Sequence, residues 1–135
     1  MRPDYLLDTN ICIYIRRQRP REVAARFQRL KSGQAVLSVV TYGELLYGAE
    51  KSNQRALALQ QLEELVALIP VMPLPQQAAR AYGAIRAGLE SKGEIIGNND
   101  LWIAAHAKAA DLVLVTNNER EFKRIAGLRV QNWAR

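Results

Sequence analysis

The chain has 135 residues, and 49% of them are apolar, which suffices for one core and predicts a single domain over residues 1–135. Cys12 is the only cysteine, so the sequence excludes an internal disulfide and a cysteine-rich zinc site and favours a cytoplasmic protein. No apolar run approaches the roughly 20 residues of a membrane span, so we expect no membrane partner. The net charge of +6 makes nucleic acid a candidate partner.

Short apolar runs alternate with longer stretches in which apolar residues recur at helical spacing. In chain order, the predicted elements are a strand over 5–7, helices over 11–17 and 20–32, a strand over 35–37, a helix that begins at Ser38 or Thr41 and ends near 51, a helix over 53–69, a strand over 71–72, helices over 75–92 and 100–110, a strand over 112–115, a short helix over 119–124 and a weak strand over 128–130. This order predicts an α/β sandwich with a mainly parallel sheet.

Three acidic residues lie near the ends of predicted strands or the starts of predicted helices, where a parallel α/β fold carries its functional site. Asp8 directly follows the first strand, Glu44 lies in the helix after the second strand, and Asp100 opens the helix after Gly97. Each has an ordinary explanation, since an acid can cap a helix, complement the helix dipole or be solvated. Together they are more informative, because these positions in a parallel sheet can meet at one edge.

A cluster of these carboxylates would require a cation, because like charges repel at short range. Mg²⁺ and Mn²⁺ are hard cations that prefer oxygen ligands. Such ions can activate water and stabilise charge on a phosphodiester. The three acids are therefore a candidate site for metal-assisted hydrolysis.

Other features of the sequence are less specific. His106 lies inside a predicted helix without a local partner, which favours a structural role, and Cys12 lies among apolar residues that predict a place in the core. Neither a phosphate-binding glycine loop nor a dinucleotide-binding motif is present. Between Arg16 and Lys31, seven basic residues stand against one acid, Glu22, which indicates either a solvated helix face or a surface that binds RNA.

Four segments resemble the VapC toxins, which are PIN-domain ribonucleases of bacterial type II toxin–antitoxin pairs. The segments are Leu6–Asn10, Tyr42–Ala49, Ile96–Ala107 and Leu114–Phe122, and the similarity continues to Trp133. The resemblance implies a PIN-like three-layer sandwich with helices on both faces of the sheet, dependence on Mg²⁺ or Mn²⁺, and hydrolysis of RNA. It also implies a VapB-type antitoxin that covers the site, and a homodimer.

The resemblance also assigns the acidic core to Asp8, Glu44 and Asp100. The first and last of these match the two positions that are most directly tied to metal. Within the family, the chain looks closest to members that cut initiator tRNA in its anticodon loop.

The turn after the fourth predicted strand departs from the pattern of many PIN domains. Those domains carry a fourth acid in a Thr-x-Asp turn, whereas this turn begins at Thr116 and has Asn118 at the acidic position. Asn118 can hydrogen-bond to a water but brings no charge. Glu119 and Glu121 are nearby substitutes, although either can be an ordinary acid at a helix start.

Two other functions remain as competing hypotheses. The chain can be a nucleic-acid-binding or regulatory module that keeps the fold without cleavage, or a receiver-like domain that is phosphorylated on Asp8. The receiver hypothesis lacks an adjacent acidic pair and a clear lysine partner.

For the antitoxin, we hypothesise a flexible tail that places an Arg or Lys against the three acids.

Overall fold

The computed structural model describes residues 2–134, which contain five strands and seven helices. The strands, in chain order, are β1 (Tyr5–Leu7), β2 (Ala35–Ser38), β3 (Val71–Met72), β4 (Val113–Val115) and β5 (Val130–Gln131). The helices are α1 (Thr9–Arg17), α2 (Arg21–Gln28), α3 (Val39–Glu50), α4 (Arg55–Leu68), α5 (Gln77–Ser91), α6 (Asn98–Ala109) and α7 (Glu119–Phe122). None of the helices in this range has the length and apolar character that crossing a membrane requires.

All five strands run in the same direction, in the order β3-β2-β1-β4-β5. The central strand is β1, which pairs with β2 on one side and with β4 on the other. Leu7 lies opposite Val115 at the end of the β1–β4 pair. The prediction of a mainly parallel sheet is confirmed, and the carboxyl ends of the strands meet at one edge.

Helices cover both faces of the sheet. Successive strand residues point to opposite faces, so each strand contributes side chains to both helical layers. Leu6 and Leu114 pack against α5, α6 and α7 on one face. Leu7 and Val115 pack against α1, α2, α3 and α4 on the other face, where Cys12 is also fully buried. The three-layer sandwich is therefore confirmed, and burial on two faces explains why the strands are almost wholly apolar.

Some element bounds differ from the predicted ones where hydrogen bonds decide them. Ser38, rather than Thr41, caps α3, because its Oγ accepts a hydrogen bond from the N–H of Val40 at 3.1 Å. Helix α6 begins at Asn98, two residues before the predicted start. The last strand is displaced to Val130–Gln131, where it pairs with the end of β4.

The buried faces of the sheet should dominate stability. Leu6 is fully buried, so Leu6→Ala should lower the free energy of unfolding in urea by about 2–5 kcal/mol. Leu68→Ala is the matched control, because this leucine is 58% exposed and its loss should cost less than about 0.5 kcal/mol. Equal losses in the two variants would contradict the placement of the core.

Candidate active site at the carboxyl edge of the sheet

Asp8 and Thr116 are the first residues after β1 and β4, and strand pairing places them side by side. The N–H of Asp8 donates to the carbonyl of Val115 at 3.0 Å. The Thr116 hydroxyl donates a short hydrogen bond to Oδ2 of Asp8, while Oδ1 accepts from the N–H of Ile11 at 3.0 Å. Asp8 is therefore the N-cap of α1 and also a buried carboxylate at the functional edge.

Glu44 reaches the same edge from α3. Its Oε1 accepts a hydrogen bond from the Thr9 hydroxyl at 2.8 Å, and its Oε2 accepts one from Nδ2 of Asn99 at 3.4 Å. Thr9 follows Asp8 and Asn99 precedes Asp100, so Glu44 connects the N-termini of α1 and α6. Neither Thr9 nor Asn99 was among the predicted site residues, because the pattern in the sequence consisted of acids alone.

Asp100, in the first turn of α6, shares a hydrogen bond with Glu121 of α7. Two carboxyl groups can share a hydrogen bond only when one of them carries a proton. Nδ2 of Asn118 donates to Oε2 of Glu121 at 2.7 Å, and the N–H of Asn118 donates to Oγ1 of Thr116 at 2.9 Å. The uncharged Asn118 thus orients an acid that the chain supplies three residues later.

The structure therefore brings four carboxylates to one edge, those of Asp8, Glu44, Asp100 and Glu121. Of the two substitutes that the sequence offered for the missing fourth acid, Glu121 contacts this group. Glu119 forms an ion pair with Lys123, one turn later, at 3.5 Å. The catalytic roles of these residues remain predictions.

Burial and mutual repulsion raise the pKa values of the two aspartates. For Asp8, burial is the largest cause, and it outweighs the hydrogen bonds from Thr116 and Ile11, which lower the pKa. The pKa of Asp100 rises to about 7, first through burial, then through the hydrogen bond and charge of Glu121 and the charges of Glu44 and Asp8. Negative charge is thus crowded at this edge.

The donor set suits a hard divalent cation. Carboxylate oxygens are the ligands that Mg²⁺ and Mn²⁺ prefer, and each carboxylate oxygen has two lone pairs, so the hydrogen bonds to Asp8 leave acceptor capacity. Within residues 2–134, no three acidic, histidine or cysteine side chains are already arranged to hold an ion. This is compatible with Mg²⁺, which often uses only one or two carboxylates and keeps several waters.

His106 has a partner that the sequence did not reveal. Its Nδ1 lies 2.9 Å from Oγ of Ser38, the residue that caps α3. His106 lies in α6, the helix of Asp100, whereas α3 carries Glu44, so this contact links the two helices. The histidine is buried, which lowers its pKa and favours the neutral ring. This contact agrees with the predicted structural role of His106.

Comparison with known proteins identifies the class. The family model of the PIN domain matches residues 5–128. Ribonuclease VapC2 of Haemophilus influenzae is 41% identical over 129 residues, which cover 96% of this chain and 97% of that protein. The tRNA(fMet)-specific endonuclease VapC of Shigella flexneri is 43% identical over 130 residues, which cover 96% of this chain and 98% of that protein.

Solved structures agree with these sequence relationships. The fold matches a structure of DNA-bound VapBC from Salmonella typhimurium with a TM-score of 0.90 and 40% identity, over 97% of this chain and 98% of that chain. It also matches VapBC2 from Rickettsia felis bound to a promoter DNA fragment, with a TM-score of 0.89 and 38% identity, over 96% of this chain and 98% of that chain.

An α/β domain with a carboxylate cluster and ribonuclease relatives over nearly its full length defines a nuclease. The chain belongs to the PIN-domain family and, within it, to the VapC ribonucleases of toxin–antitoxin systems.

Because the acids are crowded, we expect the free energy of unfolding to depend on pH. The pKa of Asp100 is about 7 in the folded protein and about 3.9 in an unfolded chain, so the folded state binds the proton more tightly. Its contribution to stability is therefore present at low pH and is lost as pH rises from about 4 through about 7. In EDTA, Asp100→Asn should gain stability over the wild type at pH 8 and gain less at pH 5.

The difference between variant and wild type is the informative quantity here. Burial lowers the pKa of His106, so the contribution of this histidine to stability decreases as pH falls below about 6.5. Asp100 has the opposite effect, because its contribution is largest at low pH. Urea unfolding at both pH values measures the difference. Asp4→Asn, a change at an exposed carboxyl outside the site, should follow the wild type. A pH-independent difference for Asp100→Asn would refute the crowded site.

Proposed function

We propose that the chain is a cytoplasmic, metal-dependent endoribonuclease that hydrolyses phosphodiester bonds in tRNA, with the anticodon loop of initiator tRNA as its substrate. The cluster of four carboxylates, of which Asp8 is one, is the observation that carries the proposal. Support for the substrate comes from the tRNA(fMet)-specific relatives, at 43% and 41% identity. A bound Mg²⁺ or Mn²⁺ would supply a Lewis acid that stabilises charge on the phosphodiester and lowers the pKa of a water.

The side chains of the site then have separate tasks. Asp8 and Asp100 are the proposed main metal ligands, and Glu44 completes the acidic core. The Thr116 hydroxyl fixes the orientation of Asp8 through their hydrogen bond. Glu121, which Asn118 orients through a hydrogen bond, adds a further carboxylate beside Asp100.

Removal of one ligand should abolish most cleavage while the fold persists. In Mg²⁺ buffer, we expect Asp8→Asn and Asp100→Asn each to cut initiator tRNA at least about 100-fold more slowly, because each loses charge stabilisation in the transition state. The assay maps the cleaved ends on denaturing gels, and EDTA should stop the wild type. Asp4→Asn is the matched control and should cleave normally.

Two outcomes would refute this assignment. Full cleavage by a folded Asp8→Asn or Asp100→Asn protein would remove the acids from the mechanism. RNA binding without cleavage by the wild type in Mg²⁺ or Mn²⁺ would favour a binding module that keeps the fold without the reaction.

A VapB-type antitoxin is the proposed inhibitor, as the VapBC complexes of the relatives suggest. A groove of about 310 Å³ opens beside Glu44, between α1, α3 and α4. Ile13 and Leu57 are among its lining residues, so it offers apolar surface next to Glu44. An antitoxin tail with apolar residues and one Arg fits this chemistry, because Arg binds carboxylates with two parallel hydrogen bonds.

An antitoxin Arg that occupies the carboxylates in place of the metal ion leads to a prediction for the toxin–antitoxin complex. Substituting the inserted Arg of the antitoxin by Met should restore cleavage while the complex remains assembled in gel filtration. Excess Mg²⁺ should weaken inhibition by the wild-type tail, since cation and Arg compete for the same carboxylates. An assembled but silent mutant complex would indicate simple steric coverage instead.

A homodimer is also part of the proposal. Val39 and Tyr47 are 43% and 66% exposed and lie two turns apart along α3, so this side of the helix is a candidate contact surface.

A further inference from the structure

Six exposed basic side chains lie between the end of α1 and the start of β2, in a segment that we call the basic arm. They are Arg16, Arg17, Arg19, Arg21, Arg29 and Lys31. Arg26 lies within the same stretch but is engaged elsewhere, because its Nη2 donates to Oε1 of Gln131 at 3.1 Å and its guanidinium lies 5.2 Å from the Trp133 ring centroid. The proposed reaction at the carboxylates leaves the basic arm without a role.

The charge of the basic arm is not neutralised by the protein. Across residues 2–134, no carboxylate lies within ion-pair distance of any of its six members. Elsewhere such pairs form readily, as between Arg55 and Glu50 at 2.6 Å. Glu22 is the only acid between positions 9 and 43. The arm therefore presents net positive charge to solvent.

Helix stability does not explain the whole arm. Arg16 and Arg17 lie in the last turn of α1, where cations complement the helix dipole. Arg21, by contrast, is the first residue of α2, where the dipole is positive and a cation is unfavourable. Neither the Arg19 nor the Arg21 side chain donates a hydrogen bond to another described residue. The side chains of these two arginines are therefore free to bind an anion from outside the chain.

The basic arm begins close to the acidic edge. Arg16 lines the same groove as Thr9 and Glu44. Helix α1 spans nine residues, or about 13 Å, from its acidic cap to its basic end. Beyond that end, Arg19 and Arg21 border a shallow concavity of about 670 Å³. A chain of phosphates that leaves the carboxylates along α1 would meet these cations in succession.

We propose that the basic arm binds the phosphate backbone of the RNA substrate beyond the nucleotide that is cut. This inference rests on the proposed function, since it extends the same substrate across the surface. The acidic edge repels an RNA strand, and a neighbouring cationic surface offsets that repulsion by replacing the counterions of the RNA. Contacts of this kind set affinity and register but do not read sequence.

The test compares two variants that each lose two positive charges. Arg19→Gln/Arg21→Gln removes cations of the basic arm, and Lys92→Gln/Lys108→Gln removes exposed cations at the ends of α5 and α6 on the opposite face of the sheet. Filter binding of initiator tRNA is measured between 50 and 300 mM KCl. Buffers contain EDTA, so no cleavage occurs and binding is scored whether or not the protein is a nuclease.

The arm variant should bind several-fold more weakly at low salt. Its slope of log affinity against log salt should be shallower than that of the wild type by about 1.4, at about 0.7 for each lost single-strand contact. The lysine variant should keep the wild-type slope. An unchanged slope in the arm variant, or an equal change in both, would overturn the proposal. Normal RNA binding with weakened antitoxin inhibition would overturn it in favour of an acidic antitoxin segment.

Discussion

The parallel pairing of β1 with β4 is the constraint on which the rest of the site depends. Because Leu7 lies opposite Val115, the next residues, Asp8 and Thr116, are adjacent and hydrogen-bonded. Asp8 starts α1, and the turn after Thr116 leads to α7 with Glu121. One strand register thus determines where two acids and two helices stand.

Local stability and function coincide along α1. Its acidic cap satisfies a backbone N–H at the positive end of the dipole, and its basic last turn complements the negative end. The same residues place a carboxylate in the candidate active site and cations at the start of the basic arm. This local compensation is incomplete at the carboxylate cluster, because burial and repulsion still raise the pKa values of Asp8 and Asp100. The apolar cores on the two faces of the sheet offset the free-energy cost of these carboxylates, and a bound cation would reduce that cost.

The fold and the predicted acids followed from periodic and positional patterns in the sequence. Apolar runs located the first four strands and placed the fifth two residues too early, and Asp8 stood out because an acid is unfavourable directly after a buried strand. The fourth carboxylate could not be assigned in this way, because Glu119 and Glu121 are both ordinary helix-start acids and the contact of Glu121 with Asp100 is visible only in the tertiary structure. The contact between His106 and Ser38 was equally hidden, since 68 positions separate the two residues.

Direct binding of a divalent ion tests the central claim most simply, because it separates the metal site from catalysis. Electron paramagnetic resonance of Mn²⁺ reports the free ion as protein is added, and Mg²⁺ can then be tested as a competitor. We predict that the wild type binds Mn²⁺ and that folded Asp8→Asn/Asp100→Asn protein loses this binding, while Asp4→Asn retains it. Undiminished binding by the double variant, or no binding by the wild type, would contradict the account of these carboxylates as a metal-dependent nuclease site.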